Sequence, residues 1–122
     1  MLDKMIPQGP VLVIAPHADD EALGCGGTIS RLIEMGCEVH WLIVTSMQEP
    51  DYSKTNITIR AAEISSVSEL FGFSSTTILN YKPTFLNTQM QLDLISDFKQ
   101  IINKLLPSTL FLPFRDDVHS DH

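Results

Sequence analysis

The chain has 122 residues, 43% of them hydrophobic and 19% charged, which is the length and composition of one soluble globular domain. Its net charge of −7, with few and scattered Lys and Arg, offers no basic stripe and excludes nucleic acid and anionic membrane surfaces as partners. There is no signal-peptide pattern, no apolar run long enough to span a bilayer, and no CxxC pairing of Cys25 and Cys37, which together predict a cytoplasmic protein with two reduced thiols.

Val11–Ala15 is a short continuous apolar run between Pro10 and Pro16, as expected of a strand buried on both faces. From Glu21 to Met35 the period becomes helical: Leu23, Ile29, Leu32 and Ile33 share one face, and Gly36 is a stop signal. Val39–Thr45 is a second strand, and Ser46–Asn56, polar and carrying Pro50, is a loop. Thr58–Phe71 is a helix with Ile59, Ala62, Ile64, Val67 and Leu70 as its apolar residues, closed by Gly72. Thr76–Tyr81 is a third strand and Lys82–Thr88 an irregular connection. Leu92–Leu106 is a helix with Leu92, Ile95, Phe98, Ile102 and Leu105/Leu106 apolar, stopped by Pro107. Thr109–Phe114 is a fourth strand.

This β-α-β-α-β-α-β order predicts an α/β fold: a Rossmann-like three-layer sandwich with a mostly parallel sheet in the order 3-2-1-4. Strands 1 and 4 are then neighbours whose connections leave on opposite sides, and the crevice beyond their carboxyl ends is the usual ligand site. Strand 1 leads into His17-Ala18-Asp19-Asp20-Glu21, and strand 4 into Arg115-Asp116-Asp117-Val118-His119-Ser120-Asp121-His122. The two most ligand-rich segments of the chain thus fall at one crevice.

His and carboxylate side chains suit zinc and related divalent ions, and a catalytic site needs three such ligands plus an open position. The crevice offers more than three, with carboxylates to spare as a general base. Each segment has a structural alternative. Acidic residues at a helix start cap it and meet its dipole, and a lone His-x-x-His is commonly two solvated histidines. The glycines of Gly24-Cys25-Gly26-Gly27-Thr28 lack a P-loop's Lys-Ser/Thr, and close packing of the helix on the sheet is the reading preferred for them. His40, inside a strand beside Trp41, is read as structural.

Ala15-Pro16-His17-Ala18-Asp19-Asp20-Glu21 resembles the first motif of the zinc-dependent N-acetylglucosamine deacetylases, the PIG-L/LmbE-like family. His119-Ser120-Asp121-His122 is similar to its second motif, His-x-Asp-His. Arg60-Ala61-Ala62-Glu63 with Leu70-Phe71-Gly72 looks like its intermediate helix. The resemblance implies His17, Asp20 and His122 as ligands to Zn2+, with Fe2+ or another divalent ion as the alternative metal. It implies Asp19 as general base, His119 as general acid or oxyanion stabiliser, and Asp121 orienting His119. Arg60 would contact substrate and Glu21 would support the ligands. The reaction implied is removal of the acetyl group from an N-acetylated amino-sugar conjugate.

Two departures stand out. The family's acidic turn after the third strand is replaced by Asn80-Tyr81-Lys82-Pro83-Thr84, which carries no acid. Family proteins also run well beyond the second motif, so 1–122 is expected to be one domain cut short at its carboxyl end. An edge left uncovered beside strand 4 would invite association into a homo-oligomer. A competing expectation is therefore an incomplete, non-catalytic fragment acting as a binding or structural module. A two-metal phosphoesterase using the many carboxylates is the third.

Overall fold

The computed structural model describes residues 7–18, 26–82 and 91–112. Its elements are β1 (Val11–Ala15), α1 (Gly26–Glu34), β2 (Val39–Thr45), α2 (Lys54–Phe71), β3 (Ser75–Tyr81), α3 (Gln91–Leu105) and β4 (Thr109–Phe111). The strands form one sheet in the order β3-β2-β1-β4, and every pairing is parallel. The expected α/β fold and strand order are both found.

The topology follows from handedness. Right-handed crossovers from β1 to β2 and from β2 to β3 step in one direction and place α1 and α2 on one face. The step from β3 to β4 runs the other way and carries α3 to the opposite face. On the first face Val11, Val13 and Ala15 join Val39, Trp41 and Ile43 around Ile29 and Leu32 of α1, with Ile64, Val67 and Phe71 of α2 packed against them. On the opposite face Leu12, Leu42 and Val44 are equally buried. Burying each such side chain contributes about 1.5–3 kcal/mol, so β1 and β2 form the rigid centre of the sheet.

Several local expectations are corrected. The helix expected over Thr58–Phe71 begins at Lys54, because Ser53 caps it: its hydroxyl accepts from the Asn56 N–H at 3.1 Å. Its sheet-facing arc is Ile57, Arg60, Ile64, Val67, Ser68 and Phe71, whereas Ile59, Ala62 and Leu70 are exposed. It ends as expected at Gly72, whose φ of 84° is left-handed and whose N–H donates to the Ser68 carbonyl. In α3, Ile95 is exposed, and the less exposed positions are Leu94, Asp97, Phe98, Ile101, Ile102 and Leu105. Leu106 lies outside that helix with φ 49°, since Pro107 disfavours helical geometry in the residue before it. The third strand begins one residue early, at Ser75, and Leu112 falls outside β4.

The close-packing reading of the glycines fails at Gly27: a Cβ added there would meet nothing within 4 Å. The expected helical residues 21–25, the side chain of Leu92, and strand residues 113 and 114 lie outside the described residues.

Candidate functional site

The carboxyl end of β1 is tied down strongly. Ala15 and Pro16 are buried, and the Pro16 carbonyl accepts two hydrogen bonds from Thr45, from its N–H at 3.1 Å and its hydroxyl at 2.7 Å. Ala18 packs against the core cluster. Between these anchors His17 is half-buried, directly at the carboxyl edge of the sheet.

The partner segment leaves from the same place. Val13 is registered against Phe111, so the chain departing β4 at Leu112 leaves the same end of the sheet from the strand adjacent to β1. Asp19, Asp20, Glu21, His119, Asp121 and His122 lie outside the described residues. Among the described residues no three His, Cys, Asp or Glu side chains gather as a metal site, and His17 is the described member of the expected ligand set.

Arg60 lies in the second turn of α2. That helix follows β2, so its first turns stand at the same end of the sheet as His17. Arg60 is on the sheet-facing arc, with its guanidinium 3.7 Å from Glu63 and its side chain 37% exposed. The pair is an exposed i,i+3 contact on one helix and leaves most of the five guanidinium donors unused by Glu63.

Beside the crevice, the ends of β2 and β3 are laced into a polar shelf. The Ser46 N–H donates to the Tyr81 carbonyl at 2.9 Å, and the Gln48 amide donates to the Asn80 carbonyl. The Tyr81 hydroxyl donates to Asp97 at 2.7 Å. Burial, that hydrogen bond and the nearby charges of Asp97 and Asp93 push the Tyr81 phenol up from 10.0 to about 12. Asn80 and Tyr81, the first two residues of the acid-free stretch, are thus held at the end of β3 by these bonds, whereas Pro83 and Thr84 lie outside the described residues.

His40 stands at the opposite end of the strands. Its Nδ1 is 2.6 Å from the Ser75 hydroxyl and its Nε2 2.9 Å from Glu38. Both ring nitrogens are used inside the fold, which agrees with a structural histidine. Thr45, by contrast, is marked by no motif. Its one sequence signal is a hydroxyl closing an otherwise apolar strand.

An open, parallel α/β sheet whose strand order reverses between β1 and β4 defines a doubly wound fold, and the switch point beyond the carboxyl ends of those two strands is where such folds usually bind ligands. The family model PIG-L: GlcNAc-PI de-N-acetylase matches residues 12–122, and the chain belongs to that family of LmbE-like deacetylases. The chain is 30% identical over 122 residues to a probable N-acetyl-alpha-D-glucosaminyl L-malate deacetylase 2 of Bacillus cereus, covering 92% of this chain and 55% of the relative. It is 31% identical over 120 residues to the diacetylchitobiose deacetylase of Thermococcus kodakarensis, covering 92% and 44%. Among solved structures it is similar to the N,N'-diacetylchitobiose deacetylase of Pyrococcus horikoshii, with TM-score 0.79 and 31% identity, covering 93% of this chain and 45% of that one. The chain thus spans about half the length of the curated relatives it matches. No helix among the described residues is long and apolar enough to cross a membrane.

Proposed function

We propose that the chain carries the metal-binding half-site and proton-transfer residues of a hydrolase that removes the acetyl group from an N-acetylglucosamine-type sugar. The observation that supports this most is the extent of the family match: residues 12–122 take in both polar segments and the helix carrying Arg60. The relatives named for deacetylation of an N-acetyl-glucosaminyl conjugate and of diacetylchitobiose support the substrate class.

Zn2+ would suit the donor types of His17, Asp20 and His122, since two imidazoles and a carboxylate are the three protein ligands that a catalytic zinc keeps beside one open position. Fe2+ or another divalent ion suits the same donors. His17 suits such a site because its backbone follows the buried Ala15 and Pro16 and the doubly hydrogen-bonded Pro16 carbonyl. When bound, the metal supplies Lewis acidity that polarises the acetyl carbonyl and makes water acidic near neutral pH.

The remaining steps belong to side chains. Asp19, adjacent in sequence to the ligand Asp20, takes the proton of the attacking water. His119 donates a proton to the departing amine nitrogen or a hydrogen bond to the developing oxyanion, and Asp121 holds its ring in orientation. Arg60 binds substrate oxygens at the crevice mouth. Glu21 supports the ligand side chains by hydrogen bonding. Water adds to the amide carbon, the C–N bond breaks, and acetate and a free amino sugar leave.

The test is acetate release across a panel of N-acetylated amino sugars and their conjugates. Activity is expected with the wild-type protein and is expected to be lost in Asp19→Asn with metal binding retained. Full activity of a metal-loaded Asp19→Asn protein overturns the general-base assignment.

A further inference from the structure

We infer that Thr45 is a positioning residue for His17, acting through the Pro16 carbonyl. This rests on the reading of His17 as a metal ligand and adds a residue that the motifs do not contain.

The argument begins with the peptide plane. The Pro16 carbon and oxygen and the His17 nitrogen and Cα are held in one rigid plane by amide resonance. Whatever fixes the direction of the Pro16 carbonyl therefore fixes the Cα of His17. A carbonyl oxygen has two lone pairs, and Thr45 supplies both donors, its N–H at 3.1 Å and its hydroxyl at 2.7 Å. Thr45 is 5% exposed, so water competes little for these bonds. With the peptide plane fixed, the imidazole of His17 is oriented by rotation about its own N–Cα bond and by its side-chain torsions, starting from a fixed Cα.

The backbone N–H alone would continue the ladder. The hydroxyl is the added element, and it comes at a place where the sheet gives out. Ala15 is registered against Ile43, the last regular pair of β1 with β2, and β2 changes register against β3 between Ile43 and Thr45. A second hydrogen bond restores rigidity where regular pairing stops. It also joins His17 to the polar shelf, because the residue after Thr45, Ser46, donates to the Tyr81 carbonyl. The anchoring runs from β3 through the end of β2 to the ligand on β1.

Thr45→Val keeps the side-chain shape and removes the hydroxyl, whereas Thr45→Ser keeps the hydroxyl and removes the methyl. Two readouts separate the inference from the reading beneath it. In metal-free protein, NMR signals of the His17 amide and ring are expected to shift and broaden in Thr45→Val and to stay near wild type in Thr45→Ser. In zinc titrations against a competing chromophoric chelator, Thr45→Val is expected to weaken binding about tenfold, the low end of what loss of a ligand's supporting contact does, with Thr45→Ser within about threefold of wild type. Circular-dichroism melts check that both variants fold. Unchanged His17 signals in folded Thr45→Val, or equal effects of Val and Ser, overturn the role of the hydroxyl. Zinc binding that His17→Ala leaves intact overturns instead the reading of His17 as ligand, and the metal-free spectra still decide the role of Thr45.

Discussion

Replacing Trp41 by Phe is expected to leave stability within about 1 kcal/mol of wild type, although Trp41 is among the most buried side chains of the sheet. It is 1% exposed and stacks on Phe73 with ring centroids 5.1 Å apart. Its indole N–H is buried and meets no acceptor among the described residues. A buried unsatisfied donor costs about 1–3 kcal/mol. Exchanging indole for phenyl loses apolar contact and opens a small void, together costing about 1–2 kcal/mol, while the stacking on Phe73 survives. The two terms are of similar size and opposite sign. Trp41→Ala removes the same N–H but also the whole ring and its stacking on Phe73, so the loss of packing prevails and should cost about 3–5 kcal/mol, lowering the melting temperature by about 10–20 °C at a few degrees per kcal/mol. Because Trp41 is the single tryptophan, the assay is far-UV circular dichroism in urea. A Trp41→Phe loss as large as that of Trp41→Ala would refute the reasoning and show the N–H to be satisfied in solution.

Tyr81 gives a pH dependence of definite sign. Its phenol is raised to about 12 in the fold, so the folded state holds the proton more tightly than the unfolded chain. The stabilisation is complete below pH 10 and is lost as pH rises from 10 towards 12; urea melts across that window should show a component that Tyr81→Phe lacks. Ser53→Ala removes the cap of α2 and should cost about 1 kcal/mol in chemical denaturation, with Ser53→Asp close to wild type. Arg60→Ala should raise KM for the deacetylation substrate more than it lowers kcat, while zinc affinity stays unchanged in chelator competition.

The sequence shows the sheet more clearly than the helices, for physical reasons. β1 and β2 are buried on both faces, so their apolar runs are continuous and their limits, Val11–Ala15 and Val39–Thr45, can be read directly. α2 has apolar residues around its whole circumference, and nothing in its composition separates the inward Ile57 and Ile64 from the outward Ile59 and Leu70. Its start is hidden because the first turn, Lys54-Thr55-Asn56, is polar and the signal is a lone Ser53 without an acidic partner three residues on. Leu106 extends an apolar pair and conceals that Pro107 has already turned the backbone.

In the site, the pattern of motifs places His17 at the end of β1, and the chain topology puts β4 beside it. The contribution of Thr45 cannot be read the same way. It depends on the register of β1 against β2, which decides that the hydroxyl meets the Pro16 carbonyl.

The most direct test of the divided site is a metal-edge anomalous diffraction map of zinc-loaded protein. One peak is predicted, about 2.0–2.2 Å from ligand atoms of His17, Asp20 and His122. A peak away from His17, or two peaks about 3.5–4 Å apart as in a two-metal phosphoesterase, would contradict the account.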